Sequence, residues 1–203
     1  MPTVTKLEIQ KNNKTRVNVY VDDEFYCGME AITALAVGLK EGRQVTADQL
    51  KEGIYQSEVR ICFTKSVDYL SRYMKTCRQL QGYLKRKGFS QEVVQATVDK
   101  LKDYGYIDDA RYAQLYTEQN SKSKGSRRIR QELLAKGVDR QNAELYSTID
   151  DEDMLHTATT LADKYMKNKQ ADTPTLVKLQ RYLVYRGYDF DIINTIVNNY
   201  RNK

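Results

Sequence analysis

Tryptophan is absent, histidine occurs once, at His156, and the three cysteines, Cys27, Cys62 and Cys77, form no close pair. A thiol-based metal site or a disulfide framework is therefore not expected, and a histidine dyad has no second member. The chain also lacks a phosphate-cradling glycine loop and any metal-ligand spacing, so neither a cofactor nor a metal is expected and catalysis has no visible carrier. No long apolar run interrupts a sequence with a mean hydropathy of −0.70 and 30% charged residues, which argues against a membrane-spanning helix. The opening Met1-Pro2-Thr3-Val4-Thr5 has no secretory layout, and the expected compartment is the cytoplasm.

What the chain does contain is a phrase written three times. Leu84-Lys85-Arg86-Lys87-Gly88-Phe89-Ser90, Leu133-Leu134-Ala135-Lys136-Gly137-Val138-Asp139 and Leu183-Val184-Tyr185-Arg186-Gly187-Tyr188-Asp189 share one grammar, at intervals of 49 and 50 residues. Glycine adopts the left-handed conformation that closes a helix, and a cation in the last turn suits the negative end of the dipole. Two positions later Ser90, Asp139 or Asp189 can cap the next helix. The stripes Leu80/Leu84, Ile129/Leu133 and Leu179/Leu183 precede the glycines, and Val94/Val98/Leu101 or Ile192/Ile193/Ile196/Val197 follow two of them. The second copy offers only Asn142, Ala143 and Tyr146 for its last helix.

A further helix precedes each pair, with Asp108 and Asp150 as caps and Ile107 and Ile149 as staples on Tyr112 and Met154. The fold class predicted is mainly α: three tandem three-helix repeats at residues 57–107, 108–149 and 150–203, forming an elongated, curved arc. The amino-terminal segment, 1–56, differs. Val4 to Gln10 and Arg16 to Val21 alternate, and Phe25 to Met29 follows an acidic turn, which predicts a β-meander with short helices near 30–38 and 46–56, the second capped by Thr46. Such a small sheet needs support from the helices or a partner.

Charge is unevenly spread, with a net of −1 over 1–56, +7 over 57–149 and zero over 150–203. The positive field of the first two repeats points to a polyanion or an acidic partner. Lys122, Lys124, Arg127, Arg128 and Arg130 surround Ser121, Ser123, Gly125 and Ser126, a flexible loop entering a helix that can offer cations and amides to phosphate or carboxylate groups. Lys85, Arg86 and Lys87 form a second knot at a helix end. Solvated, dipole-compensating cations would explain the same residues. The acidic run Asp150-Asp151-Glu152-Asp153 reads as a helix-opening turn rather than a magnesium site. Sixteen tyrosines, among them Tyr73, Tyr83, Tyr104, Tyr106, Tyr112 and Tyr116 beside cations, fit interhelical packing, with base stacking as the second reading.

Gly105-Tyr106-Ile107-Asp108-Asp109-Ala110-Arg111-Tyr112-Ala113, then Lys124-Gly125-Ser126-Arg127-Arg128-Ile129-Arg130-Gln131-Glu132-Leu133 and Lys136-Gly137-Val138, strongly resemble the RecX family of bacterial recombinase regulators. The resemblance covers about residues 57–203. It implies tandem three-helix repeats, no catalysis of their own, binding to the RecA filament on DNA, and restraint of RecA ATPase, strand exchange and co-protease activity. It also implies affinity for single-stranded and, secondarily, double-stranded DNA, and adds Arg111 to the candidate contacts. A monomer lodged in the groove of the filament, touching more than one recombinase subunit, is the mechanism expected. A helical repeat that binds DNA or RNA directly, and a general adaptor whose cations only solubilise it, are the competing readings.

Overall fold

The computed structural model describes residues 1–202, which form three strands and ten helices divided between two units. The first unit comprises residues 1–73 and 80–106. Its strands β1 (Val4–Gln10), β2 (Asn13–Val21) and β3 (Glu24–Glu30) make an antiparallel meander in the order β1-β2-β3, as the alternation predicts. Asp22 and Asp23 take φ of 49° and 70°, the left-handed pair that a tight two-residue hairpin turn requires and that aspartate tolerates. Val17, Val19 and Val21 point to one face of β2, where they join Val4, Met29, Leu39, Val45 and Leu50 in a single apolar core.

Helix α1 (Ala31–Ala36) follows the sheet, and then α2 (Ala47–Leu70) begins at Thr46. Thr46 accepts from the Gln49 amide at 3.2 Å while Gln49 returns a bond to the Thr46 amide at 3.0 Å, a reciprocal cap. The sequence predicts a short helix near 46–56 and a first repeat beginning at 57. Instead α2 runs unbroken for 24 residues. The physical reason is its buried face, built from Leu50, Gly53, Ser57, Cys62 and Ser66, which are mostly small and leave no apolar stripe to read. Those small residues bring the helix close to its neighbours. A Cβ on Gly53 would lie 3.2 Å from Val37 and 3.5 Å from Met29, and Ser57 Oγ accepts the Glu30 amide at 2.9 Å.

Helices α3 (Cys77–Arg86) and α4 (Gln91–Asp103) complete the first repeat. The turn between them has the bonds that the glycine phrase encodes: the Phe89 amide reaches the Leu84 carbonyl and the Gly88 amide reaches Lys85, with Gly88 at φ 88°. Ser90 then caps α4 by accepting from the Val93 amide at 3.2 Å. Gly105, at φ 70°, closes α4 in the same way, with Tyr106 bonded to Leu101.

The second unit comprises residues 74–79 and 107–203. It holds α5 (Asp109–Asn120), α6 (Ser126–Lys136) and α7 (Arg140–Ser147), followed by α8 (Asp151–Met166), α9 (Thr173–Arg186) and α10 (Phe190–Arg201). Ala113, Ile129, Leu133, Val138 and Ala143 form one core, and Ala158, Ala162, Leu179, Leu183, Tyr188 and Ile193 belong to another. Gly137 and Gly187 repeat the turn of Gly88, with Val138 bonded to Leu133 and Tyr188 to Leu183. Asp108, Asp139 and Asp150 cap their helices as expected. Asp189 does not: it occupies the cap position of α10 without a side-chain capping bond. Among the described residues no helix is long and apolar enough to cross a membrane.

Candidate functional site

Helix α6 carries three of the candidate cations, and both of its ends are fixed by the repeat. At its start the Gly125 amide donates to the Arg186 carbonyl at 3.0 Å, and Arg186 returns a bond from its guanidinium to the Ser123 carbonyl at 3.2 Å. Gly125 is buried, and a Cβ there would overlap the carbonyl of Gly187. Read from sequence as part of a flexible loop, it is a packing residue that lets the start of α6 seat on the end of α9. The other end of α6 receives the residues before α3 by the same logic. Thr76, fully buried, donates its hydroxyl to the Lys136 carbonyl at 2.6 Å and accepts from the Gln79 amide at 3.2 Å, while Gly137 leaves the space that Arg78 fills. In each case the start of one repeat's middle helix meets the closing turn of the next repeat's middle helix.

The five cations of this region divide into two groups by what they touch. Lys124 Nζ lies 2.6 Å from Glu132 Oε2, and Arg128 Nε lies 2.8 Å from Glu132 Oε1. Tyr116 gives its hydroxyl to the same carboxylate at 2.5 Å. Burial opposes ionisation of Glu132, but the three donors outweigh it and hold the carboxyl down to about 2. For Tyr116, burial and then the bond to Glu132 push the phenol well above its ordinary value. Arg128 also lies over the Tyr185 ring at 5.1 Å, and Lys136 over the Tyr116 ring at 5.1 Å. Lys124 and Arg128 thus brace the loop. Glu132, their hub, is not among the candidates read from the sequence, although its four-residue spacing from Arg128 is a signal that points to it.

Lys122, Arg127 and Arg130 are exposed. Among the described residues Lys122 and Arg127 make no ion pair, and Arg130 comes only within 4.0 Å of Glu144. Arg127 and Arg130, one turn apart, line a cavity of about 380 Å³ together with Glu144, Asp151 and the uncapped Asp189. That cavity has mixed charge, so Arg127 and Arg130 are tempered by acidic neighbours. Arg111 stands apart on the first turn of α5, beside Asp108, Gln114 and Tyr146. In the first unit Lys85, Arg86 and Lys87 are all exposed at the end of α3, and Lys87 lies 5.6 Å from the Tyr83 ring. Tyr83 is itself stacked on Tyr69 at 4.0 Å, and Tyr112 is stacked on Tyr116 at 6.0 Å, so these rings pack on one another. Among the described residues no group of three or more His, Cys, Asp or Glu side chains is placed to hold a metal.

Comparison with known proteins agrees with this architecture. The model for the regulatory protein RecX N-terminal domain matches residues 2–46, and models for the first, second and third RecX three-helix domains match 62–101, 108–145 and 151–197. A regulatory protein RecX of Clostridium perfringens (strain SM101 / Type A) is 32% identical, with 100% of this chain and 98% of the relative covered. One from Bacillus subtilis (strain 168) is 30% identical over 98% of this chain and 77% of the relative. Among solved structures, a crystal structure of regulatory protein RecX superposes with a TM-score of 0.76 at 24% identity, covering 98% of this chain and all of that one. RecX from Lactobacillus salivarius superposes with a TM-score of 0.64 at 25% identity, covering 72% and 98%. With all four domains matched in order along its length, the chain belongs to the RecX family of regulatory proteins.

Proposed function

We propose that the protein binds the RecA–DNA filament and restrains RecA's ATPase, strand exchange and co-protease activity, acting in the cytoplasm as a monomer and by binding rather than by catalysis. What supports the reading, beyond family membership, is the division of labour on and around α6. Glu132 spends Lys124 and Arg128 on holding the loop, and the same frame presents Lys122 and Arg127 to solvent with no ion pair among the described residues. Cations that make no ion pair lose no existing partner when a phosphate or acidic protein surface arrives. The net charge of +7 over residues 57–149, against zero over 150–203, supports polyanion contacts by the first two repeats and protein contacts by the third. Lys85, Arg86 and Lys87 are the further candidates in the first repeat, with Arg111 a lesser one in the second.

Exposed Tyr104 and Tyr106, with Lys100 and Lys102 nearby in sequence, favour a second reading in which bare nucleic acid is the target. Cosedimentation with RecA filaments and with the same single-stranded DNA lacking RecA separates the two. Clear preference for the filament supports the proposal. Equal affinity for bare DNA, falling steeply with salt, replaces it with direct nucleic-acid binding.

A further inference from the structure

The first unit contains a groove of about 570 Å³ that shares no residue with the cationic cluster of α6. It is formed by α1, α2 and α4, with apolar walls from Ile32, Val59, Phe63 and Tyr104 and with Arg60 and Lys100 among its lining residues. Ile32 is 53% exposed and Tyr104 61% exposed, so the groove presents apolar surface to solvent. The aromatic wall is ordered: Phe63 meets Tyr104 edge-on at 5.9 Å and Tyr106 edge-on at 6.2 Å. Lys100 Nζ lies 5.6 Å over the Phe63 ring and makes no ion pair among the described residues, while Arg60 is bonded to Glu30 at 2.8 Å.

Among the described residues lining this groove none is a carboxylate, and of its two cations Arg60 is already paired with Glu30 while Lys100 has no ion pair. A purely apolar occupant would leave Lys100 without a counter-charge at the edge of a desolvated contact, and a purely anionic one would leave the apolar walls wet. From that charge complementarity we infer that the groove is a docking site for a short acidic peptide segment. Such a segment places one aromatic or aliphatic side chain between Ile32 and Tyr104 and sets a carboxylate against Lys100, beside the Arg60–Glu30 pair. The site takes a protein tail or loop, independent of whatever the α6 cations bind. The burial of one anchoring side chain supplies affinity, and the flanking carboxylates supply orientation and selectivity.

The test is fluorescence anisotropy of the full chain with a fluorescein-labelled peptide carrying one phenylalanine and one leucine among aspartates. Two control peptides have serine in place of phenylalanine, or serine in place of every aspartate. The proposal expects saturable binding of the first peptide and losses of about tenfold or more for both controls. Lys100→Glu and Ile32→Ser, both solvent-facing changes, should each weaken the acidic peptide while leaving the urea unfolding midpoint in place. Absence of saturable binding overturns the proposal, as does binding that neither substitution alters. A loss confined to a single-stranded oligonucleotide, with the peptide unaffected by Lys100→Glu, also overturns it and reassigns the groove to nucleic acid.

Discussion

The Gly125 amide donates to the Arg186 carbonyl at 3.0 Å, joining the start of the second repeat's middle helix to the end of the third repeat's. The contact is possible because neither Gly125 nor Gly187 carries a side chain. A Cβ on Gly187 would overlap Arg128, and one on Gly125 would overlap Gly187. The helix-closing glycine therefore has two duties in the second unit, a left-handed turn and a seat for the neighbouring helix. Gly88 has only the first duty, since a Cβ there meets nothing within 4 Å.

That difference predicts a graded cost for one substitution made at two places. Gly88→Ala should destabilise by about 1–2 kcal/mol, the expense of a left-handed alanine. Gly187→Ala should add about 1–3 kcal/mol for displaced packing against Arg128. Urea unfolding of both variants checks the order, and equal costs would remove the second duty from Gly187.

The Glu132 hub predicts a pH dependence with a defined sign. Its carboxyl is held at about 2 in the folded chain against an ordinary value of 4.5, so its stabilisation is complete above about pH 5. Stability should fall as pH drops from about 5 towards 2, with this group contributing up to about 3 kcal/mol before solvent screening is allowed for. Glu132→Gln should be less stable than wild type at pH 7 and should show a flatter melting-temperature profile across that window. A profile parallel to wild type would mean that Lys124, Arg128 and Tyr116 do not depend on the carboxylate charge.

Asp139 and Asp189 stand at the same place in successive phrases, yet only Asp139 bonds the opening turn of its helix, accepting from the Asn142 amide at 2.9 Å. Asp139→Ala should cost about 1 kcal/mol. Asp189→Ala should cost less than half as much, about 0.5 kcal/mol or below, because no capping bond is lost. Chemical denaturation of the two variants compares them directly.

The sequence was legible where local chemistry decides conformation. Gly88, Gly137 and Gly187 announced their turns because a left-handed residue, a cation before it and a capping residue after it all act within a few positions. Asp108 and Asp150 were legible for the same reason. Helix α2 was not, because Gly53, Ser57 and Ser66 bury by being small and mimic a solvent-facing pattern. Gly125 misled in the opposite direction: amid serines and lysines it resembles a flexible loop, and only the distant Gly187 explains it. The nine cations were visible as a list, but which of them are spent depends on Glu132, Tyr116 and Tyr185, whose approach is set by packing between helices.

If Lys122 and Arg127 face the filament while Lys124 and Arg128 hold the frame, reversing the first two charges should weaken inhibition without unfolding the protein. This is tested most directly by measuring RecA ATPase on single-stranded DNA with wild-type protein and with the Lys122→Glu, Arg127→Glu double variant. The expected result is an unchanged unfolding midpoint and about tenfold or more protein required for the same inhibition. Full inhibition at the wild-type concentration, with the fold intact, would contradict it.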